Sequence, residues 1–104
     1  MRLTTKQIEI IIQKTSLVFG GNAKVYLFGS RVDNTKKGGD IDLYVAPENQ
    51  DNLHEKKIKF LTTLEMNLGD QKIDVIIAKN DNSLIEKEAI TKGIELRLDV
   101  LKLE

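Results

Sequence analysis

Two aspartates stand two residues apart inside an apolar run, Asp40-Ile41-Asp42-Leu43-Tyr44-Val45. On a strand, alternate side chains share a face. Asp40 and Asp42 therefore point one way, while Ile41, Leu43 and Val45 point the other way into a core. Two carboxylates held side by side repel each other and lose hydration, so the arrangement calls for a cation to bridge them. Upstream, the run Leu27-Phe28 ends in a Gly29-Ser30 corner. A glycine there lets the backbone come close to a phosphate. Together these features point to metal-assisted phosphoryl or nucleotidyl chemistry.

A third carboxylate lies in Lys72-Ile73-Asp74-Val75-Ile76-Ile77. Alternation puts Ile73, Val75 and Ile77 on one face and Asp74 on the other. If this strand lies beside the one carrying Asp40 and Asp42, Asp74 joins them. Three carboxylates supply the hard oxygen ligands that Mg²⁺ prefers, with its other positions left for water and substrate phosphates. Two ions about 3.5–4 Å apart can activate an attacking oxygen and stabilise a leaving pyrophosphate. The competing assignment pairs Asp74 with a lysine at a strand edge. Tyr44 shares the face of Asp40 and Asp42, where packing is its simplest role.

The rest of the chain reads as scaffold. Thr4 and Gln7 have capping-box spacing, with Leu3 placed to staple onto Ile8. Ile8, Ile11, Ile12, Thr15 and Val18 then form a helical stripe ended by Gly20-Gly21. Asn52 with Glu55 predicts a second capped start, followed by Phe60, Leu61, Leu64 and Leu68, with Gly69 at the stop. Ser83 with Glu86 predicts a third helix, with Ile85, Ala89 and Ile90 on its apolar face and a stop near Gly93. Strands are predicted at Lys24–Phe28, Asp40–Ala46, Lys72–Ala78 and from Ile94, where Ile94, Leu96, Leu98 and Val100 alternate with charged residues. The order α-β-β-α-β-α-β predicts an α/β (α+β) fold, a mixed sheet of about four strands with three helices packed on it. A length of 104 residues fits one domain spanning 1–104.

Charge and composition exclude several classes. Sixteen basic residues balance 16 acidic ones, so the chain lacks the basic bias of a protein that grips nucleic acid unaided. Absence of cysteine removes disulfides, thiolate zinc sites and cysteine nucleophiles. The single histidine, His54, rules out a two-imidazole site from this chain and is expected to be exposed, in a charged first turn. No apolar run approaches the roughly 18 residues of a membrane span, and the expected location is the cytoplasm.

Taken as a set, the strand ending in Gly29-Ser30, the polar loop, the Asp40-x-Asp42 strand and the later Asp74 resemble the DNA-polymerase-β-like nucleotidyltransferases. The resemblance runs from about Lys24 to Gly93. The short length is similar to the minimal nucleotidyltransferases, a group that includes antitoxins encoded beside HEPN-domain toxins. The resemblance implies the polymerase-β-like nucleotidyltransferase fold. It implies that Asp40, Asp42 and Asp74 ligate Mg²⁺ or Mn²⁺ and form the catalytic set, with Asp74 also placed as general base. It implies that Gly29 and Ser30 hold the triphosphate of ATP or another NTP. Arg31 offers a charge-assisted contact beside them, and Lys36 and Lys37 lie in the same loop. Antitoxins of this group transfer AMP from ATP to a tyrosine of the toxin, which makes a HEPN-type toxin the expected partner. The loop Val32–Gly39 departs from the Arg-rich, Gly-Thr-containing loop common in the group.

Two other functions fit the same residues: an antitoxin that neutralises its partner by contact without catalysis, and a subunit of a small-molecule nucleotidyltransferase. The sequence leaves the acceptor, the nucleotide preference and the oligomeric state open.

Overall fold

The computed structural model describes residues 3–29, 40–69, 71–78, 87 and 92–97. Within them lie α1 (Thr5–Phe19), β1 (Lys24–Phe28), β2 (Ile41–Ala46), α2 (Leu53–Leu68), β3 (Ile73–Ile77) and β4 (Ile94–Glu95). Most of the third helix predicted from Ser83, the far end of the last strand at Leu98 and Val100, and the loop 30–39 fall outside these residues; Lys87 and Lys92, which are described, are helical.

The helix α1 starts as its sequence predicts. The Gln7 N–H donates to Thr4 Oγ1 at 3.1 Å, and the Thr4 N–H donates to Gln7 Oε1 at 2.8 Å. Two amide donors at the helix start are thereby satisfied reciprocally. Ile8, Ile11, Thr15 and Val18 are buried on its inner face. Thr15 is accommodated there because its hydroxyl donates to the Ile11 carbonyl at 2.7 Å.

The start of α2 corrects the sequence reading. Asn52 adopts a left-handed conformation, φ 52°, and its side chain makes no capping bond. The chain enters through an Asn49 turn instead, in which the Asp51 N–H donates to Asn49 Oδ1 at 3.1 Å. Lys56 Nζ donates to the same oxygen at 3.3 Å. Asn52 still contributes its carbonyl, which accepts from the Lys56 N–H at 3.0 Å.

The four strands form one mixed sheet in the order β3-β2-β1-β4. β1 pairs antiparallel with both β2 and β4, while β2 and β3 are parallel. That parallel pair requires a crossover, and α2 supplies it. Both helices cover one face of the sheet: Ile8, Ile11, Phe19, Phe60 and Leu64 join Val25, Leu27, Ile41, Leu43, Val45, Ile73 and Val75 in a single core. Phe19 and Phe60 meet edge to face with centroids 5.2 Å apart, tying α1 to α2. The strand residues that alternate with this core set occupy the opposite face. There Tyr44 is buried beside Ala78, Tyr26, Phe28 and Ala46. No helix among the described residues is long and apolar enough to cross a membrane.

Candidate active site

Register decides which acids meet. β2 and β3 run parallel with Ile41 opposite Ile73, Asp42 opposite Asp74 and Leu43 opposite Val75. Parallel neighbours are about 4.8 Å apart and opposed residues share a face. Asp42 and Asp74 therefore form one rung of the ladder, on the face opposite the helices. The rung before it is held by the Ile41 N–H, which donates to the Lys72 carbonyl at 2.9 Å. Extended one step, this register sets Asp40 beside Lys72. Lys72 Nζ lies 3.7 Å from Asp40 Oδ2.

The site face thus carries two adjacent rungs, Asp40 with Lys72 and Asp42 with Asp74. The sequence alternative paired Asp74 with a lysine at a strand edge; the lysine beside this site, Lys72, pairs with Asp40. Lys72 is the residue that the sequence reading missed. It stands two positions before Asp74, so the alternation that placed Asp74 on this face places Lys72 there too.

The fields of these groups overlap at Asp42. Its carboxyl is raised above the usual carboxylate range, first by burial, then by the charges of Asp74 and Asp40. A hydrogen bond to Asp74 acts in the same direction, and the Lys72 charge opposes them. The charged form of Asp42 is thus disfavoured on two counts, lost hydration and two like charges.

Gly29 completes this wall. It ends β1 one position past Phe28, the register partner of Asp42. Its φ is +77°, and a Cβ there would overlap Asp42 Oδ2. Glycine therefore serves two ends, a left-handed turn and the space in which the Asp42 carboxylate sits.

The donor set of Asp40, Asp42 and Asp74 consists of carboxylate oxygens, the chemistry that suits a hard divalent cation. The expected convergence of all three on one point is not found: no group of three or more such side chains among the described residues is placed to hold a metal ion. Ser30 and Arg31, expected to hold the triphosphate beside Gly29, lie outside the described residues, as do Lys36 and Lys37.

Farther along the same face the surroundings change from acidic to aromatic. Tyr26 and Tyr44 are register partners with ring centroids 6.3 Å apart. The Tyr26 phenol is raised above its ordinary value by burial, by the Glu95 charge and by a hydrogen bond to Glu95, against the lowering effect of Arg97. His54 is exposed, as expected from sequence. With Leu53, Lys57, Ile76 and Ile77 it lines a cavity of about 290 Å³ that includes none of the three aspartates.

Comparison with known proteins bears on most of the chain. The family described as Polymerase beta, Nucleotidyltransferase matches residues 6–98. Among solved structures, a crystal structure of the toxin–antitoxin pair MntA–HpeT, in a mutant with two aspartates two positions apart changed to glutamate, is similar. It is 20% identical, with 88% of this chain and 75% of that chain covered and a TM-score of 0.60. At that identity the likeness establishes a shared fold. No curated protein matches the sequence.

Proposed function

The chain belongs to the polymerase beta nucleotidyltransferase family, and from that premise we propose that it transfers a nucleoside monophosphate, AMP from ATP, to a hydroxyl of a partner protein. The acceptor we propose is a tyrosine of a HEPN-type toxin, with this chain as the antitoxin. The observation that carries the proposal is the Asp42–Asp74 rung beside Asp40, with Asp42 raised by its neighbours. A carboxyl raised by burial and by two like charges, as Asp42 is, is poor scaffolding and good ligand chemistry. The fold shared with one chain of a toxin–antitoxin complex supports the partner class.

In this reading Asp40, Asp42 and Asp74 hold Mg²⁺ or Mn²⁺. When bound, the cation offsets the triphosphate's charge and acts as a Lewis acid on the phosphoryl oxygens. Gly29, followed by Ser30 and Arg31, holds the triphosphate against the end of β1. Asp74 takes the proton of the acceptor hydroxyl. The hydroxyl oxygen forms a bond to the α-phosphorus, the bond between the α-phosphorus and the bridging oxygen breaks, and pyrophosphate leaves. β3 is an edge strand among the described residues, so an acceptor carried on another protein reaches Asp74 from the side of the sheet. The balanced charge of the chain, 16 basic against 16 acidic residues, favours a protein acceptor over a long nucleic acid.

The test is mass spectrometry of the product of the neighbouring gene after incubation with ATP and Mg²⁺ or Mn²⁺. A nucleoside-monophosphate adduct on a tyrosine is expected with the wild type and not with Asp40→Asn or Asp74→Asn. A partner that is bound and inhibited stoichiometrically yet carries no adduct would instead establish neutralisation by contact.

A further inference from the structure

The proposed ligand Asp40 is already engaged. Its carboxylate has the Lys72 ammonium 3.7 Å away, and the same ammonium lowers the electrostatic burden on Asp42. The backbone of Lys72 is fixed beside Ile41 by the 2.9 Å bond to its carbonyl. Its side chain is 72% exposed against 41% for Asp40, just before β3, which is an edge strand among the described residues. A solvent-exposed cation thus hangs from a held backbone at the margin of a carboxylate cluster.

We propose that Lys72 is a positioning residue that couples cation binding to nucleotide binding. This rests on the reading of the three aspartates as ligands. A divalent cation that takes Asp40 must displace the ammonium, which opposes binding of the metal alone. Once displaced, the ammonium has no carboxylate partner and turns to the nearest new anion, the triphosphate. Lys72 therefore weakens the site for bare metal and strengthens it for metal with nucleotide. By linkage, the same coupling appears whichever ligand is added first. Because Lys72 is largely exposed, the effect shrinks as salt rises.

The experiment is calorimetry at low ionic strength on the full chain, comparing wild type, Lys72→Gln, Lys72→Arg and Lys59→Gln. Lys59 is an exposed lysine of α2 and controls for net charge. MnCl₂ is titrated alone, and a non-hydrolysable ATP analogue is then titrated with and without Mn²⁺. Lys72→Gln is expected to tighten Mn²⁺ roughly three- to tenfold and to weaken the analogue in Mn²⁺ by a similar factor, the scale of one partly exposed charge pair. Lys72→Arg and Lys59→Gln are expected to stay within about twofold of wild type, because the first keeps the charge and the second removes a distant one. A merely structural role for Lys72 does not tighten the metal. Mn²⁺ affinity unchanged or weakened in Lys72→Gln overturns the proposal while the ligand assignment stands. Absence of Mn²⁺ binding to wild type overturns the ligand assignment, and the role of Lys72 with it.

Discussion

Asp42 faces Asp74 across the parallel β2–β3 ladder, on the side of the sheet opposite both helices. Two carboxylates in register at strand spacing are a local conflict in the fold. The core residues that alternate with them, Ile41, Leu43, Ile73 and Val75, are at most 7% exposed. Packing on the helix face therefore fixes the register, and the acids on the other face have no freedom to slip apart, because a one-residue slip would turn Ile41 and Leu43 away from the core.

Removing the charge of Asp42 is expected to stabilise the protein in EDTA. The folded-state carboxyl is raised above its unfolded value by burial, Asp74 and Asp40. Folding then takes up a proton, a contribution present below the unfolded value and lost as pH rises through the raised folded value. In EDTA at neutral pH, Asp42→Asn is expected to melt slightly higher than wild type. The gap closes as the pH falls below the ordinary carboxylate range. Because solvent screens a partly exposed carboxyl, the gain is expected to stay below about 1 kcal/mol, or under roughly 4–8 °C for a domain of this size. A fall in melting temperature of that size would show that the carboxylate supports the fold.

Gly29→Ala is expected to lose about 1–2 kcal/mol from left-handed strain alone and to displace the Asp42 carboxylate that occupies the space of the new Cβ. Urea denaturation of Gly29→Ala, Asp42→Ala and the double variant separates the two effects. The cycle should show that Asp42→Ala relieves part of the cost, since truncation removes the overlapping oxygen but leaves the φ of +77°. Strict additivity would mean that Gly29 and Asp42 do not compete for space.

The Tyr26 phenol is raised above its ordinary value first by burial and then by the Glu95 charge and hydrogen bond. Ultraviolet titration in a Tyr44→Phe background reports Tyr26 alone. Glu95→Gln should bring the midpoint down, since it removes a like charge. The sign carries over to stability: the Tyr26 contribution is present below its unfolded value and lost as pH rises through the raised folded one. An unchanged midpoint in Glu95→Gln would leave burial as the sole cause.

Much of this was legible in the sequence because local patterns and tertiary packing agree. The Thr4–Gln7 box, the apolar stripe of α1 and the alternation in β2 and β3 each predict what forms. Alternation put Asp40 and Asp42 on one face and Asp74 on the polar face of its own strand, but bringing the three together took the β2–β3 pairing. Sheet order was not legible, since nothing local in β4 states that it pairs with β1. The Asn52 start misled because Asn49 does the turning, and an αL residue carries its side chain away from the amides it was expected to cap. Lys72 was hidden by its chemistry: a lysine at a strand margin usually reads as a solvated end, and only the register with Asp40 gives it a partner.

The most direct measurement of the account is calorimetric titration of wild type and Asp42→Asn with a non-hydrolysable ATP analogue, in Mg²⁺ and in EDTA. A triphosphate approaching Asp40, Asp42 and Asp74 without a cation meets like charge on every side. Clear binding to wild type is expected in Mg²⁺, with at least tenfold weaker binding in EDTA and loss of most of the Mg²⁺ effect in Asp42→Asn with the fold retained. Equal affinity in Mg²⁺ and EDTA would contradict this expectation.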